Sequence, residues 1–262
     1  IGGNVANVKH AIGEMYFLRA YAYFKKYMMF GDFPIVTEPL ADDMAVLAEA
    51  SKRAPRNEVA RFILNDLDLA YQYMSAKDLT TTRINKDVAK LMTSRVALFE
   101  ATWLQNFNGT AFVPGGNGWP GGAGYSYPAG SLDAEVKYFL GVAADAAKYV
   151  ADKYVGKLTE NTGYVQQDAA QAPNPFHEMF ATENLSGYPE VLMWREYGRG
   201  LVTHNVNSAA GRGNYRNGLT RGLVQNFLMA DGSPVYTHGT YADGDGYYMG
   251  DKEMKNVVVN RD

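Results

Sequence analysis

The sequence predicts a mainly α-helical chain, with helix hairpins over residues 1–155 and a loop-rich, aromatic-rich second half over residues 156–262. Three observations lead there. Apolar residues recur at helical spacing in four segments before residue 155. Residue types that start and stop helices stand at the ends of those segments. After Lys153 the composition shifts to Gly, Asn, Tyr and Pro, the residues of turns and irregular loops.

The first predicted helix runs from Val8 to Phe30. Its apolar stripe is Ala11, Met15, Leu18, Ala22 and Tyr23, and Lys25 and Lys26 fall in its last turns, where the helix dipole favours cations. Gly31 suits the left-handed position that closes a helix, and Pro34 prevents its resumption. An extended run from Phe33 to Leu40 and a polar, Ala-rich connection follow. A second helix begins after Pro55 and reaches Met74, with Val59, Ile63, Leu67, Leu69 and Ala70 near one face and Asp66 and Asp68 outside it. Asn85 caps a third, Lys86 to Phe107, by accepting from free first-turn amides; its stripe is Ala89, Met92, Val96 and Phe99. Ser131 caps a fourth, ending near Lys153, with Asp133 and Glu135 in its first turn and Val136, Leu140, Ala143 and Ala147 inward. Leu18 and Val96 are therefore expected core positions. Helices in sequential pairs, with alanines at the contacts, are the pattern of tetratricopeptide-like hairpins. Beyond Lys153 a single further helix is expected, from Leu219 to Met229, before a turn at Asp231-Gly232.

Composition narrows the class. With 262 residues, 47% of them hydrophobic, and a net charge of −3, the chain has enough apolar material for a sizeable core and lacks the basic field that nucleic-acid binding requires. No apolar run reaches the roughly 18 residues of a membrane span. The absence of cysteine excludes disulfides and thiolate metal sites. The four histidines, His10, His177, His204 and His238, show no metal-ligand spacing. Asp243, Asp245 and Asp251 lack the twelve-residue spacing of a calcium loop, so no metal is assigned.

Several stretches carry a family resemblance. EMYFLRAYAYF, then FGDFP, then VTEPL, over residues 14–40, resemble the SusD/RagB family of surface glycan-binding lipoproteins. RAPRNEVARFILNDLDLA (53–70) and RINKDVAKLMTSRVALFEATW (83–103) resemble its next two helices. YPEVLMWREY (188–197) resembles a strand-like segment, GLTRGLVQNFLMADGSPV (218–235) a helix ending in an Asp-Gly turn, and Asn260-Arg261-Asp262 the start of a further motif. The resemblance implies a non-catalytic protein that binds a polysaccharide or oligosaccharide at the cell surface and delivers it to a SusC-like TonB-dependent transporter. It needs no cofactor, and its contact with the outer membrane is only through a lipid anchor absent from this chain. On the same grounds the chain is expected to lack its parent's N-terminal anchor region and C-terminal portion. The hairpins would face the transporter and the loop-rich half the ligand.

Candidate ligand-binding residues lie in two aromatic stretches. Within the Gly-rich insertion 108–130, Trp119, Tyr125 and Tyr127, with Asn117 beside them, suit the apolar C–H face of a sugar and its hydroxyls; the same rings equally suit anchoring of their own loop. Tyr215, Tyr241 and Tyr247, flanked by Asn214, Arg216 and Asp243, form the second. Trp103 and Trp194 sit in apolar patterns and are expected in the core. Two other classes compete. An all-helical glycoside hydrolase would draw on Glu178, Glu183, Glu190 or Glu196 with Asp243 or Asp245, and needs a carboxylate pair roughly 5–9.5 Å apart, which no spacing here singles out. A helical-repeat adaptor binding a peptide leaves the aromatic loops unexplained.

Overall fold

The computed structural model describes residues 5–75, 82–122, 124–163, 166, 168–198 and 200, with positions 202, 203, 206, 220, 222, 223, 226, 228 and 232–234 beyond them. Two units divide between Leu201 and Val202. In the first unit the described residues form α1 (Val5–Phe30), α2 (Met44–Ala50), α3 (Arg56–Tyr73), α4 (Lys86–Asn106), α5 (Leu132–Tyr154) and α6 (Pro175–Ala181). The fold is mainly helical, as the sequence predicts.

The caps explain where helices begin. The Asn85 side chain accepts from the amides of Asp87 and Val88, Ser131 from that of Ala134, and Gly31 takes the expected left-handed conformation (φ 69°) to end α1. α1 ends at Phe30 as predicted, but its last turn holds no basic residue: Lys25 and Lys26 lie one turn earlier. Two helices escaped the sequence reading. The supposed polar connection contains α2, whose start is made by Asp43 accepting from Ala45 and Val46, and Asn174 with Pro175 starts α6 in the loop-rich region. Among the described residues the strand-like stretch 188–197 forms no strand; its Leu192 carbonyl accepts from the Asn85 side chain (2.9 Å).

Helices α1, α3, α4 and α5 pack in chain order, α1 on α3, α3 on α4 and α4 on α5. His10 near the start of α1 meets Ser75 just past α3, and Gly31 past the end of α1 lies against Arg56 at the start of α3, so these two run antiparallel. Arg56 also reaches Glu100 near the end of α4, and Lys153 and Tyr154 at the end of α5 reach Asp87 at the start of α4, so each sequential pair is antiparallel. The core is Phe17, Ala20, Phe24 and Tyr27 of α1, Val59, Ile63, Leu67 and Ala70 of α3, Ala89, Val96, Ala97, Ala101 and Leu104 of α4, and Phe139 and Ala143 of α5. Gly13 permits the closest approach: a Cβ there would lie 2.5 Å from Met74 Cγ and 2.9 Å from its backbone nitrogen.

Val96 is buried as expected, but the stripe assigned to the first helix is not its buried face. Ala11, Met15, Leu18 and Ala22 are exposed and Tyr23 is half-buried, while His10, Gly13, Phe17, Ala20, Phe24 and Tyr27 point inward. α1 is apolar nearly all round, so periodicity alone does not choose its face; small residues that let α3 approach do. Leu18 instead lines an open apolar groove of about 870 Å³ between α1 and α4, with Tyr21, Leu91, Leu98 and Met193. Asp66, placed outside the α3 stripe by its charge, is fully buried in a two-point pair with Arg19 (2.7 and 2.7 Å). On α5, Leu140 and Ala147 are exposed, and Glu135, Phe139, Ala143 and Ala146 are buried.

In the second unit, Gly232 has φ 83° and Leu228 bridges Pro234 in antiparallel fashion, which matches the predicted Asp231-Gly232 turn. Of the helix predicted from Leu219 to Met229, Gly222 and Leu223 are helical and the Asn226 amide reaches the Gly222 carbonyl (3.2 Å).

The corrected α1 face has a measurable consequence. Phe17→Ala should cost about 3–5 kcal/mol from lost burial and an unfilled cavity. Leu18→Ala should stay within about 0.5 kcal/mol of the parent. Urea denaturation of the two variants decides between the faces, and the reverse order of costs would reinstate the Leu18 stripe.

Candidate ligand site

The insertion 108–130 joins α4 to α5 and folds back over the N-terminal end of α3. Its aromatic residues are tied down by hydrogen bonds. Trp119 Nε1–H donates to Asp32 Oδ2 (2.7 Å), the Tyr125 hydroxyl donates to Glu58 (2.7 Å) and lies 3.1 Å from Asn57 Oδ1, and the Tyr127 hydroxyl donates to the Pro114 carbonyl (2.6 Å). The rings meet edge to face, Trp119 on Tyr125 at 5.4 Å and Tyr125 on Tyr127 at 4.9 Å. The Trp119 six-membered ring also packs on Gly121, where a Cβ would lie only 2.0 Å from it. Burial, and then the bond to Glu58, raise the Tyr125 phenol well above its ordinary range, and burial pushes Tyr127 up to about 12, so both remain protonated donors at neutral pH. Asn117 is exposed, its amide bonded to the Gly109 carbonyl (3.1 Å).

Asp32, in the FGDFP turn, is the node. One carboxylate oxygen takes the Trp119 indole, and the other caps α3 by accepting from the Arg56 amide (2.8 Å), a task its own N-cap, Pro55, has no side chain to perform. Arg56 then turns into the core. Its guanidinium lies over the Trp103 ring (4.2 Å) and donates to Glu100 from Nε (3.0 Å) and Nη2 (2.9 Å); Tyr27 also donates to Glu100. Burial lowers Arg56 to about 9, and burial followed by repulsion from Glu135 raises Glu100 well above the usual carboxylate range. Glu135, equally buried, accepts from Arg61 Nε and Nη2 (both 2.8 Å), from Asn57 Nδ2 and from the Ala129 amide, which fastens the end of the insertion to α3. Its burial acts to raise the carboxyl, but the bonds from Arg61 and Asn57, with the Arg61 charge, leave it below its ordinary value.

Beside this node is a small open cleft of about 280 Å³ at the end of α1, bounded by Phe30, Asp32, Arg53, Trp103, Phe112 and Pro120. The exposed rings here belong to residues the sequence reading passed over. Phe112 is 62% exposed and Phe30 48%, whereas Trp119, Tyr125 and Tyr127 are half-buried. A signal was present: Trp103, Phe107 and Phe112 recur at spacings of four and five and pack as a run, at 4.4 and 5.8 Å. Trp103 and Trp194 are both half-buried, Trp103 against the core. Tyr215, Tyr241 and Tyr247, with Asn214, Arg216, Asp243, Asp245 and Asp251, lie outside the described residues. Among the hydrolase candidates, Glu190 accepts from the Thr159 amide (2.9 Å) and Glu178 sits in the first turn of α6. Among the described residues no three His, Asp or Glu side chains group as metal ligands, and no helix is long and apolar enough to cross a membrane.

Residues 3–98 match the SusD-like family whose description is "starch-binding associating with outer membrane". Over 99% of its length the chain follows the crystal structure of a SusD-like protein from Bacteroides fragilis, with a TM-score of 0.57 and 18% identity, and it spans 43% of that protein. No curated protein matches. The family match thus lies in the N-terminal part of the chain, and the likeness to the Bacteroides fragilis protein shows a shared fold over its length.

The depressed Glu135 carboxyl fixes the sign of an acid effect. Because its folded value lies below its unfolded one, its contribution to stability is full above the ordinary carboxylate range and is lost as pH falls through the folded value. Glu135→Gln should therefore cost about 3 kcal/mol at pH 7 by breaking a buried pair, and should flatten the acid limb of stability against pH. Denaturation midpoints between pH 7 and pH 3 for parent and variant measure both effects; parallel curves would remove Glu135 from that role.

Proposed function

We propose that this chain is part of a non-catalytic glycan-binding protein of the outer membrane, held at the cell surface by a lipid anchor, that captures a polysaccharide or oligosaccharide and passes it to a SusC-like TonB-dependent transporter. The observation that carries the reading is the match of residues 3–98 to a family described as starch-binding and outer-membrane-associated. The fold shared with a SusD-like protein supports it. So does the architecture. The antiparallel helix pairs give a rigid base suited to docking on a transporter, and on this reading residues 156–262 are assigned to the ligand. The insertion 108–130 offers aromatic rings and backbone carbonyls of the kind sugars need. Trp119, Tyr125, Tyr127 and Asn117 contribute to the ligand surface through this insertion, and Tyr215, Tyr241 and Tyr247 supply a second set.

The rings of the insertion act by shape as well as by contact. Trp119→Phe keeps a ring on Gly121 and Tyr125 but removes the donor to Asp32, so it should lower the melting temperature more than it weakens binding. Electrophoresis through gels containing a panel of polysaccharides tests the whole reading: the chain should be retarded by at least one glycan and should release no reducing ends over many turnovers. Multiple-turnover release that disappears when one carboxylate is replaced would establish a hydrolase instead.

A further inference from the structure

The cleft at the end of α1 has a polar inventory that can be read side chain by side chain. Both oxygens of Asp32 are already occupied, by the Arg56 amide and the Trp119 indole. The positive end of α3 stands against that carboxylate through the same Arg56 amide. The Arg56 guanidinium is buried and committed to Glu100. Arg53 remains. It is exposed, it borders the cleft, and among the described residues it makes no hydrogen bond and no ion pair. The walls around it are apolar, with the open faces of Phe112 and Phe30 and the flank of Met28.

An open aromatic face next to an uncommitted guanidinium is a two-point recognition surface. The ring takes a flat apolar face, and the guanidinium takes a planar anion by two parallel hydrogen bonds, which a lysine cannot reproduce. A uronic acid offers both on one ring: axial and equatorial C–H bonds on one side, and a carboxylate at C5. At about 280 Å³ the cleft is close to the lower bound of ordinary small-ligand sites, roughly 300 Å³, and so suits one sugar unit, with the rest of a chain running out over the surface.

We propose that this cleft binds a single uronate residue of an acidic glycan, with Arg53 on the carboxylate and Phe112 under the ring. The assignment rests on the glycan-binding reading and names the substrate class of that function.

The test uses the chain with trigalacturonate and with its fully methyl-esterified form, which keeps the shape and removes the charge, and reads binding by calorimetry. The acid should bind at least about tenfold more tightly than the ester, the scale of one charge-assisted hydrogen bond. Arg53→Gln should bring the acid down to the level of the ester, and Phe112→Ala should weaken both; both side chains are exposed, so the melting temperature should hold. Raising the salt concentration should narrow the gap between acid and ester. Equal affinity for acid and ester, or an unchanged preference in Arg53→Gln, overturns the inference. Binding of neutral oligosaccharides alone would overturn it while leaving the glycan-binding reading intact, and failure to bind any saccharide would overturn both.

Discussion

Arg56 and Glu100 are the interaction around which the first unit is arranged. Each is buried, and neither charge is tolerable there alone: burial has lowered the arginine to about 9 and raised the glutamate well above its usual range. Removing one partner from such a pair exposes the other to the full desolvation penalty, several kcal/mol. The pair therefore stabilises mainly by prohibition. It penalises any packing of α3 on α4 that does not bring these side chains together, and so it acts on the register of the two helices alongside the apolar stripes. Tyr27, donating to Glu100 from α1, extends the same requirement to a third helix.

From that pair the constraint passes to the surface. Arg56 carries the guanidinium at one end and, at the other, the first amide of α3, which Asp32 caps. Asp32 also holds Trp119, Trp119 holds Tyr125, and Tyr125 returns to Glu58 and Asn57 in the first turn of α3. Asn57 is bonded to Glu135, which holds Arg61 and the Ala129 amide at the far end of the insertion. A loop of this length, rich in glycine, has a large conformational entropy to lose, and a few apolar contacts would not hold it. It is held because its polar atoms close a circuit with a helix terminus whose own amides need partners.

These relations separate what was legible in the sequence from what was not. Helix starts were legible wherever the cap is local, as at Asn85 and Ser131, because the residue and the amides it serves are neighbours in the chain. The cap of α3 was not, since Asp32 stands 24 residues before the amide it accepts from. The apolar stripe of α3 was legible because its opposite face is polar, with Asn65, Asp68 and Gln72 outside; on α4 the buried alanines and Val96 were found although Leu91 and Leu98 stand exposed on another face. That of α1 was not, because Leu18 and Phe17 are equally apolar and the choice belongs to Gly13 and Ala20, which let α3 come close. Buried charges were the least legible of all. Asp66 was placed outside the apolar face and Glu135 only in a helix's first turn; their burial rests on Arg19 and Arg61, 47 and 74 residues away in sequence. The site followed the same rule: Trp119, Tyr125 and Tyr127 were picked out as rings in a Gly-rich loop, and their hydrogen bonds, all made by the far ends of the side chains, decide how much of each ring is left open.

The consequence for binding is that order and exposure fall on different aromatic residues. Trp119, Tyr125 and Tyr127 spend their polar ends on the scaffold, so they give the insertion its shape; Phe112 and Phe30, with no polar end to satisfy, stand open beside it. A surface whose loop is already ordered asks little further conformational entropy of a ligand, and weak contacts of the sugar-on-ring kind then suffice for useful affinity. On the uronate proposal, the same division makes a phenylalanine the contact residue in place of a tryptophan. The indole N–H of Trp119 was needed elsewhere, at Asp32, and a ring fixed by its edge in that way offers only the face that its own loop leaves uncovered.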